Sequence, residues 1–585
     1  MTRVSVAERA RLSVLIGSRT LQNLAGAIKA HPLLRWRLAS STDRLVIAPQ
    51  ELRTADATRA TEIYAGRFAF SGKVVICDRR SPFEMTAPSE EWAATLLGFS
   101  WLRHLRAADS AITRANARSL VDDWINLQGR FDPIAWRTDI LSRRLISWLS
   151  QAPLVLQDAD VRFYRRFIRS LTRQARYLRR LSSQSRDGLT RVQALIALAF
   201  VALCMQGQSK YLRATLRKLN DELNRQVLPD GGHISRNPGV LIELLLDLLP
   251  LRQVLTHRNV APPAALNNAV DRMMPMLRFF RHGDGNFAHF NGMGPTPVDL
   301  LATVLAYDDA RGAPVSNAPH SGYQRLDAGK TVLLIDTGKP PPMSVSQEAH
   351  AGCLSFELST KRQRLVVNCG LPAVNRETWR QVTRATAAHS TATFNDVSSC
   401  RFFESGALRR LLAGIPIFGG PREVTTTREQ NFDAIVLRNS HDGYARDFNV
   451  IHHRMLTLSN DGSRLSGEDA FAPAQGDTLS PKIADEFAIR FHLHPSVKAN
   501  RLTDGHGVLL TLPDRDVWSF DAFEDPVQIE ESVYLAGPDG PRRTVQIVIY
   551  GHVRSQSRVQ WTFHHTPKTA QGERKARPDE PELPL

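Results

Sequence analysis

Histidines stand beside predicted strands at two linked places in the second half of the chain. His350 directly precedes the alternating segment 353–359, and His389 precedes the next alternating segment. Because side chains at the ends of neighbouring strands meet at one edge of a sheet, we expect the two rings to lie close together. Imidazole acts as a general acid or base near neutral pH, and it also binds zinc.

An oxygen donor joins the two histidines. Asn368 ends the strand predicted over 364–368, which neighbours the strand that His350 precedes. His350, Asn368 and His389 are therefore a candidate zinc set, since zinc is bound by imidazole nitrogen and by oxygen. An amide oxygen is a weak zinc ligand, so the set predicts at most a structural zinc. No cofactor is required by the rest of the chain.

Three arginines, Arg376, Arg380 and Arg384, lie between the two histidines. A guanidinium group binds a carboxylate or a sulfate through two parallel hydrogen bonds. The segment therefore predicts a binding surface for an acidic ligand beside His350 and His389. The alternative for a histidine next to a strand is a structural role.

The first half of the chain carries a polar turn over residues 228–238. His233, Arg236 and Asn237 crowd within five residues just before a long apolar helix. Asn237 is suited to cap that helix, with Pro238 at the first helical position. A helix N-terminus favours an anion, which predicts a binding or catalytic site. The alternative is a capped turn with solvent-exposed polar groups.

A second loop, 283–294, is rich in glycine and aromatic residues and contains Asn286, His289 and Asn291. Its spacing does not match a phosphate-binding loop. Aromatic and amide groups together suit stacking on sugar rings and hydrogen bonding to them. The alternative is a structured turn that closes the helical part of the chain.

Two kinds of element must position these residues. Before about residue 315, apolar residues recur every three or four positions, which predicts consecutive antiparallel helices in a bundle, solenoid or toroid. After the linker 312–319 the period becomes two, and short strands without intervening helices predict an antiparallel sandwich or stacked sheets. The predicted fold class is therefore helical first and antiparallel β second.

These patterns divide the chain into four parts. We expect an N-terminal extension with short strands and a helix over 1–90, a helical domain over 91–312, an antiparallel β domain over 320–565 and a disordered tail over 566–585. A chain of 585 residues is too long for one ordinary core, which agrees with more than one domain.

The net charge of +17 favours a polyanionic partner, with a generally basic composition as the alternative. Without zinc-finger, RNP-like or Walker motifs we expect no nucleic acid, so anionic lipid and an acidic polysaccharide remain as candidate partners. No apolar window is long enough to span a membrane, and the N-terminus lacks a clear signal peptide, which taken literally predicts a cytoplasmic protein. The oligomeric state is left open.

Together these motifs resemble the heparinase II/III family of polysaccharide lyases. The resemblance covers about residues 92–307 and 322–563, and its markers include Asp230-Gly-Gly-His233, Phe290-Asn-Gly292, Leu354-Ser-Phe-Glu-Leu358 and Arg384-Ala-Thr-Ala-Ala-His389. It implies an α/α toroid followed by a β-sandwich. It also implies a uronic-acid polysaccharide as substrate and a place in the cell envelope or periplasm.

The resemblance implies cleavage by β-elimination. A base removes the proton on C5 of the uronate, a cation or amide neutralises the neighbouring carboxylate, and an acid protonates the O4 leaving group. The catalytic residues implied are His233, Arg236, His350 and His389. The substrate-binding residues implied are Asn237, Asn286, His289, Asn291, Arg376, Arg380 and Arg384.

The chain departs from the family pattern where the catalytic groups stand. An Asn-His pair is replaced by Asp187-Gly188, and a Tyr-His pair by Val240-Leu241. In the His-x-His-x-Asp pattern, Glu348 and Gly352 replace the first histidine and the aspartate, and Asn368 replaces a metal-binding aspartate. Three functions stay open: a divergent lyase, a hydrolase of another acidic glycan, and a non-catalytic polysaccharide-binding protein.

Overall fold

The structure is a computed structural model that describes residues 6–29, 44–78, 80–127, 133–308, 312–374, 376–402, 411–412, 414–476 and 485–566. Most of its helices lie before residue 306. The helices are α1 (Val6–Lys29), α2 (Ala57–Tyr64), α3 (Glu90–Gly98), α4 (Leu102–Ala108), α5 (Ala111–Leu127), α6 (Thr138–Ser150), α7 (Ala152–Leu156), α8 (Val161–Leu181), α9 (Leu189–Cys204), α10 (Leu212–Gln226), α11 (Gly239–His257), α12 (Ala264–Phe279), α13 (Val298–Leu305), α14 (Arg376–Arg384) and α15 (Ala445–Phe448).

The helical half has one apolar core, and the sequence shows why. Helix α8 alternates arginine and apolar residues at helical spacing, so one face is buried and the other stays in water. Helix α9 is apolar on nearly every side, and it is buried between α6, α10 and α11. At the N-terminal end of this core, Phe99 contacts the rings of Trp101, Trp124 and Trp148.

The second half is built from antiparallel strands, as the period of two predicts, and the first two strands of the chain form a separate antiparallel pair in the first half. The strands are β1 (Arg67–Phe70), β2 (Lys73–Ile76), β3 (Asn317–Ala318), β4 (Tyr323–Ala328), β5 (Thr331–Asp336), β6 (Phe356–Thr360), β7 (Gln363–Val367), β8 (Ala392–Phe394), β9 (Arg401–Phe402), β10 (Ile417–Gly419), β11 (Val424–Gln430), β12 (Ala434–Tyr444), β13 (Val450–Ser459), β14 (Arg464–Pro473), β15 (Glu486–Leu493), β16 (Lys498–Arg501), β17 (Gly507–Thr511), β18 (Val517–Asp521), β19 (Val527–Tyr534), β20 (Arg542–His552) and β21 (Arg558–Thr566).

Two large sheets pack face to face. One has the order β11-β12-β13-β14-β21-β18-β17-β16, and the other has the order β19-β20-β15-β7-β6-β5-β4-β3, with β8 paired to β15. Aromatic rings from both sheets meet in the core between them. Phe356 stacks on Trp561 with ring centroids 5.7 Å apart, and Phe491 contacts Phe563 at 5.6 Å. The arrangement is a β-sandwich.

The predicted fold class, a helical toroid followed by an antiparallel β-sandwich, is confirmed. Details differ from the prediction. In the N-terminal part, Leu45 forms an isolated bridge to Met205, and helices α14 and α15 interrupt the β half, for which the sequence predicts no helices. The predicted tail beyond Thr566 lies outside the described residues. Across the described ranges, every helix is too short or too polar to cross a membrane.

Candidate functional site

The loop that carries His350 is held in place by Arg384 at the end of α14. The guanidinium of Arg384 is completely buried and donates hydrogen bonds to three main-chain carbonyls, those of Ala349 at 2.7 Å, Ile415 at 2.6 Å and Ser346 at 2.9 Å. It also lies 4.4 Å above the ring of Phe402. Burial lowers the pKa of Arg384 to about 10. Arg384 therefore shapes the loop from inside the protein.

His350 and His389 meet directly, as the sequence predicts for neighbouring strand ends. Nδ1 of His350 is 3.0 Å from Nε2 of His389, and Nδ1 of His389 is 2.8 Å from the carbonyl oxygen of Ala385. Because a carbonyl only accepts, Nδ1 of His389 carries the hydrogen, and its Nε2 accepts from His350. Burial lowers the pKa of both rings, that of His389 to about 4, so both are neutral at pH 7.

This tautomer leaves a lone pair on Nε2 of His350. Within the described ranges that atom finds no hydrogen-bond partner, and the same holds for two other buried atoms, Oγ of Ser355 and Nδ2 of Asn368. Gly352 lies beside Ser355 and His389. A Cβ at Gly352 would stand 2.8 Å from Cδ2 of His389 and 3.2 Å from Oγ of Ser355. The absence of a side chain at 352 is therefore what lets His389 occupy its place.

These residues do not fit a zinc ion. A structural zinc takes four ligands, almost always from Cys, His and carboxylates. Among the residues that the structure describes, no group of three or more such side chains is placed to bind a metal. The lone pair of His389 Nε2 is already used by His350, and Oδ1 of Asn368 accepts from the backbone N–H of Ser390 at 2.9 Å.

Arg236 is the second arginine that is used inside the protein. Its guanidinium extends from the helical half into the β half. There it donates to the carbonyls of Ser321 at 2.7 Å, Gly322 at 2.9 Å and Lys339 at 3.0 Å, and to Oδ1 of Asp336 at 2.5 Å. All four acceptors belong to the β half. Arg236 thus joins the two halves of the molecule.

Asn291 and Tyr323 complete that junction. Nδ2 of Asn291 donates to the hydroxyl of Tyr323 at 2.7 Å and to Asp336 at 3.1 Å, while its oxygen accepts from the backbone N–H of His350 at 3.2 Å. The Tyr323 hydroxyl donates to the carbonyl of Arg236 at 2.6 Å. A loop residue predicted to bind sugar therefore connects the Arg236 junction to the His350 loop.

The turn with His233 is a closed structure. Nε2 of His233 is 3.0 Å from Oε1 of Gln226, and Nδ1 accepts from the backbone N–H of Ser235 at 3.1 Å. Burial lowers the pKa of His233 to about 3, which keeps the ring neutral. Asn237 accepts from the backbone N–H of Gly239 at 2.9 Å, but the N-cap residue of α11 is Pro238 and not, as the sequence predicts, Asn237. In this turn, both ring nitrogens of His233 serve the protein itself.

The loop 283–294 surrounds a buried carboxylate that sequence reasoning missed. Glu357 on β6 lies 3.1 Å from Nε2 of His282 and 3.5 Å from Nη1 of Arg364, and it accepts from the backbone N–H of His289 at 3.0 Å. Burial raises the pKa of Glu357, but the neighbouring His289, His282 and Arg364 outweigh it and hold that pKa well below its usual range. The signal available in the sequence is a glutamate at an alternating position within an apolar strand.

The remaining predicted residues lie around these centres. Both the side-chain amide and the backbone N–H of Asn286 donate to Asp284, at 2.8 and 2.9 Å. Nη2 of Arg380 is 3.2 Å from a carboxylate oxygen of Glu348, beside the His350 loop. Arg376 begins α14, and its side chain lies outside the described residues.

The residues that depart from the family pattern also form contacts within the protein. Asp187 accepts from the hydroxyl of Ser344 at 2.8 Å and from the backbone N–H of Gly188 at 2.9 Å, and it pairs with Arg225. Burial opposes the charge, but the bonds from Arg225 and Ser344 prevail and lower the pKa of Asp187 to about 2. Leu241, in place of the family's histidine, is buried in α11.

A second histidine relay shows what a completed network looks like in this chain. Nδ1 of His441 accepts from the backbone N–H of Gly443 at 3.0 Å, and its Nε2 is 3.2 Å from Nδ1 of His452. Nε2 of His452 is 2.6 Å from Asp469, which Arg454 also binds, through two nitrogens at 2.7 and 3.0 Å. Every ring nitrogen of this relay has a partner, whereas the His350 relay ends open.

The sequence matches a family model and a curated protein. The family model described as "Heparinase II/III-like, C-terminal" matches residues 310–562. A curated relative, FtsZ-localized protein C of Caulobacter vibrioides (strain NA1000 / CB15N), is 30% identical over 530 residues, which cover 88% of this chain and 89% of the relative.

Solved structures extend the likeness to both halves. The crystal structure of heparinase III matches with a TM-score of 0.67 at 13% identity, covering 94% of this chain and 89% of that one. A mutant of heparan sulfate lyase HepC from Pedobacter heparinus matches with a TM-score of 0.61 at 14% identity, covering 95% and 88%. At such identities the likeness shows the fold, which is that of a polysaccharide lyase.

Proposed function

The chain belongs to the heparinase II/III-like family, and from that premise we propose that it is a non-catalytic member, which acts by binding and localisation instead of cleavage. The observation that carries this proposal is the use of the predicted chemical groups inside the protein. Arg236 and Arg384 donate to main-chain carbonyls, and both nitrogens of His233 have protein partners.

Recruiting these groups for a substrate would be costly. β-Elimination needs a cation or amide that reaches the uronate carboxylate and a base that reaches C5. If Arg384 turned toward a substrate, the three carbonyls that it binds would be buried without a donor. Each unsatisfied buried group costs about 1–3 kcal/mol. A protein that cleaves uronate would be expected to hold such an arginine at the surface of its cleft.

The curated relative supports a role in localisation. It is named for localisation with FtsZ, and the match covers 88% of this chain. We extend that property to this protein and propose that the lyase fold serves here as a binding scaffold. An anionic polysaccharide remains a second ligand to be tested, because the net charge of +17 favours acidic partners.

Imaging tests the localisation. A fluorescent fusion of the full chain, produced in the native host beside labelled FtsZ, is expected to show the same cellular distribution as FtsZ. In parallel, the purified chain is expected to bind purified FtsZ on a biosensor surface. A uniform distribution together with no binding to FtsZ contradicts the proposal.

A lyase activity is the second candidate, and one observation favours it. Nε2 of His350 carries a lone pair that no described residue uses, which is the property of a general base. In this mechanism Nε2 takes the C5 proton of a uronate, the C4–C5 double bond forms as the C4–O4 bond breaks, and the protonated ring or a water molecule gives a proton to O4. His389 accepts a hydrogen bond from the protonated ring. The side chain of His350 is buried, so a substrate reaches it only if the loop opens.

A substrate panel separates the two candidates. The full chain is incubated with heparan sulfate, hyaluronan, chondroitin sulfate and alginate, and the ultraviolet absorbance of the unsaturated product is followed, with heparinase III as positive control. No increase is expected from this chain. An increase that disappears in His350→Gln would establish the lyase. New reducing ends without that absorbance would indicate a hydrolase of an acidic glycan instead.

A further inference from the structure

Strand β11 forms an open edge of the sandwich. It is the first strand of its sheet, and its seven residues pair with β12 without a register shift. On its other side, no strand of the described ranges pairs with it. Alternate residues of an antiparallel edge strand point their N–H and C=O groups away from the sheet. The strand thus presents a regular row of main-chain donors and acceptors.

Several of the devices that usually protect an edge strand are missing from β11, although Arg428 carries an inward-pointing charge. Edges are commonly blunted by proline, by a bulge, by inward-pointing charge or by short length. The sequence Val424-Thr-Thr-Thr-Arg-Glu-Gln430 contains no proline and is rich in β-branched residues. Arg428 turns toward the other sheet, where it donates to the carbonyls of Ser316 at 2.8 Å and Arg325 at 3.0 Å, so its charge does not cover the edge.

The turn that joins β11 to β12, beside this edge, exposes a phenylalanine side chain to solvent. Phe432 is fully exposed, at 101% of its reference area. The surrounding backbone is fixed: Oδ1 of Asn431 accepts from the N–H groups of Asp433 and Ala434 at 3.0 and 2.8 Å. Nδ2 of Asn460 donates to the carbonyls of Asn431 at 3.0 Å and Phe432 at 2.7 Å. A braced turn therefore presents a large apolar ring at a fixed position.

We propose that β11 is a strand-addition site for an extended segment of a partner protein, with Phe432 as its apolar anchor. Unpaired main-chain groups at strand spacing are complementary to another backbone in β conformation, which lipid does not offer. A rigid exposed aromatic next to them supplies the kind of contact that dominates binding energy at interfaces. The inference rests on the proposed function, since a localisation protein needs a surface for its partner.

The test uses purified FtsZ as the probe and the full chain in three forms. Wild type, Phe432→Ala and Phe523→Ala are compared on a biosensor surface, after circular dichroism has shown that all three are folded. Phe523 is the matched control, because it is another exposed phenylalanine in a turn of the same domain, at 48% exposure. Phe432→Ala is expected to weaken binding by about 30-fold, the loss typical of a hot-spot side chain, with Phe523→Ala unchanged.

Hydrogen–deuterium exchange locates the contact. Amides over 424–430 are expected to exchange more slowly in the complex than in the free chain, because strand addition gives them acceptors. Binding that survives Phe432→Ala, with no protection of β11, overturns the inference and leaves the proposed function standing. No binding by the wild type overturns the proposed function and this inference with it. Protection of β11 in the free chain at high concentration would assign the edge to a second copy, which also overturns it.

Discussion

Replacing Arg236 by methionine is expected to loosen the junction between the two halves of the molecule. Arg236 donates to Asp336 at 2.5 Å and to the carbonyls of Ser321, Gly322 and Lys339 at 2.7, 2.9 and 3.0 Å. Methionine keeps the apolar stem but leaves the buried carboxylate without its cation. Breaking a buried ion pair in this way costs about 3–5 kcal/mol, and we expect about 4 kcal/mol here.

Thermal unfolding measures the effect. For a unit of about 250 residues, 4 kcal/mol corresponds to a fall in Tm of about 10 °C. We expect the β half and the helical half to melt at separate temperatures in Arg236→Met, since the residue connects them. Arg236→Lys is expected to recover only part of the loss, because one ammonium group cannot reach four acceptors in the same geometry.

The matched control is Arg438→Met. Arg438 also pairs with a carboxylate, Glu429 at 2.8 Å, but the two side chains are 52% and 64% exposed. Exposed pairs contribute about 0–1 kcal/mol, so the Tm of this variant is expected to stay within about 2 °C of wild type. If Arg236→Met has the same Tm as Arg438→Met, the reasoning is wrong. Arg236 would then not be needed to hold the two halves together and could bind a substrate.

Two further predictions concern the buried histidines. Gly352→Ala is expected to lower the free energy of unfolding by about 1–3 kcal/mol, because the new Cβ would stand 2.8 Å from Cδ2 of His389; Gly98→Ala, whose Cβ meets its neighbour at 3.5 Å, is the control, and equal guanidinium midpoints would contradict the prediction. Stability is also expected to fall as the pH drops from 7 to 5. The pKa of His389 is about 4 and that of His233 about 3, against 6.5 when unfolded. The unfolded chain therefore binds more protons over this range, and each ring takes away about 2 kcal/mol by pH 5. A Tm that does not change between pH 7 and pH 5 would contradict this.

The sequence predicts the order of structures well because that order depends on periodicity. Helical spacing before residue 306 and alternation after 316 each repeat many times, and a packed core follows from either pattern. The meeting of His350 and His389 is predictable for a similar reason, since both precede strands that turn out to be neighbours in space. What periodicity does not contain is the direction in which a long polar side chain points.

Arg384 illustrates that limit. In the sequence it is an arginine between two histidines, which suits an acidic ligand. In the structure it is completely buried and bound to three carbonyls of loops that come from residues 346–349 and 415. Those loops are distant in sequence, so their carbonyls cannot be anticipated from local pattern. The alanines and threonine that follow Arg384 are small enough for close packing, and they are the one local sign of burial.

Under the proposed non-catalytic role, the open end of the His350 relay shows which group this version of the lyase fold lacks. The second relay, His441 to His452 to Asp469, ends on a carboxylate and leaves no nitrogen unpaired. The His350 relay has no carboxylate, because the position at which the family pattern places an aspartate is Gly352. Three buried polar atoms, Nε2 of His350, Oγ of Ser355 and Nδ2 of Asn368, find no partner among the described residues. The missing carboxylate at position 352, together with Asn368 in place of an aspartate, agrees with the poor fit to a metal. The fold is compatible with a glycine at position 352, because the two hydrophobic cores and the Arg236 junction do not involve that residue.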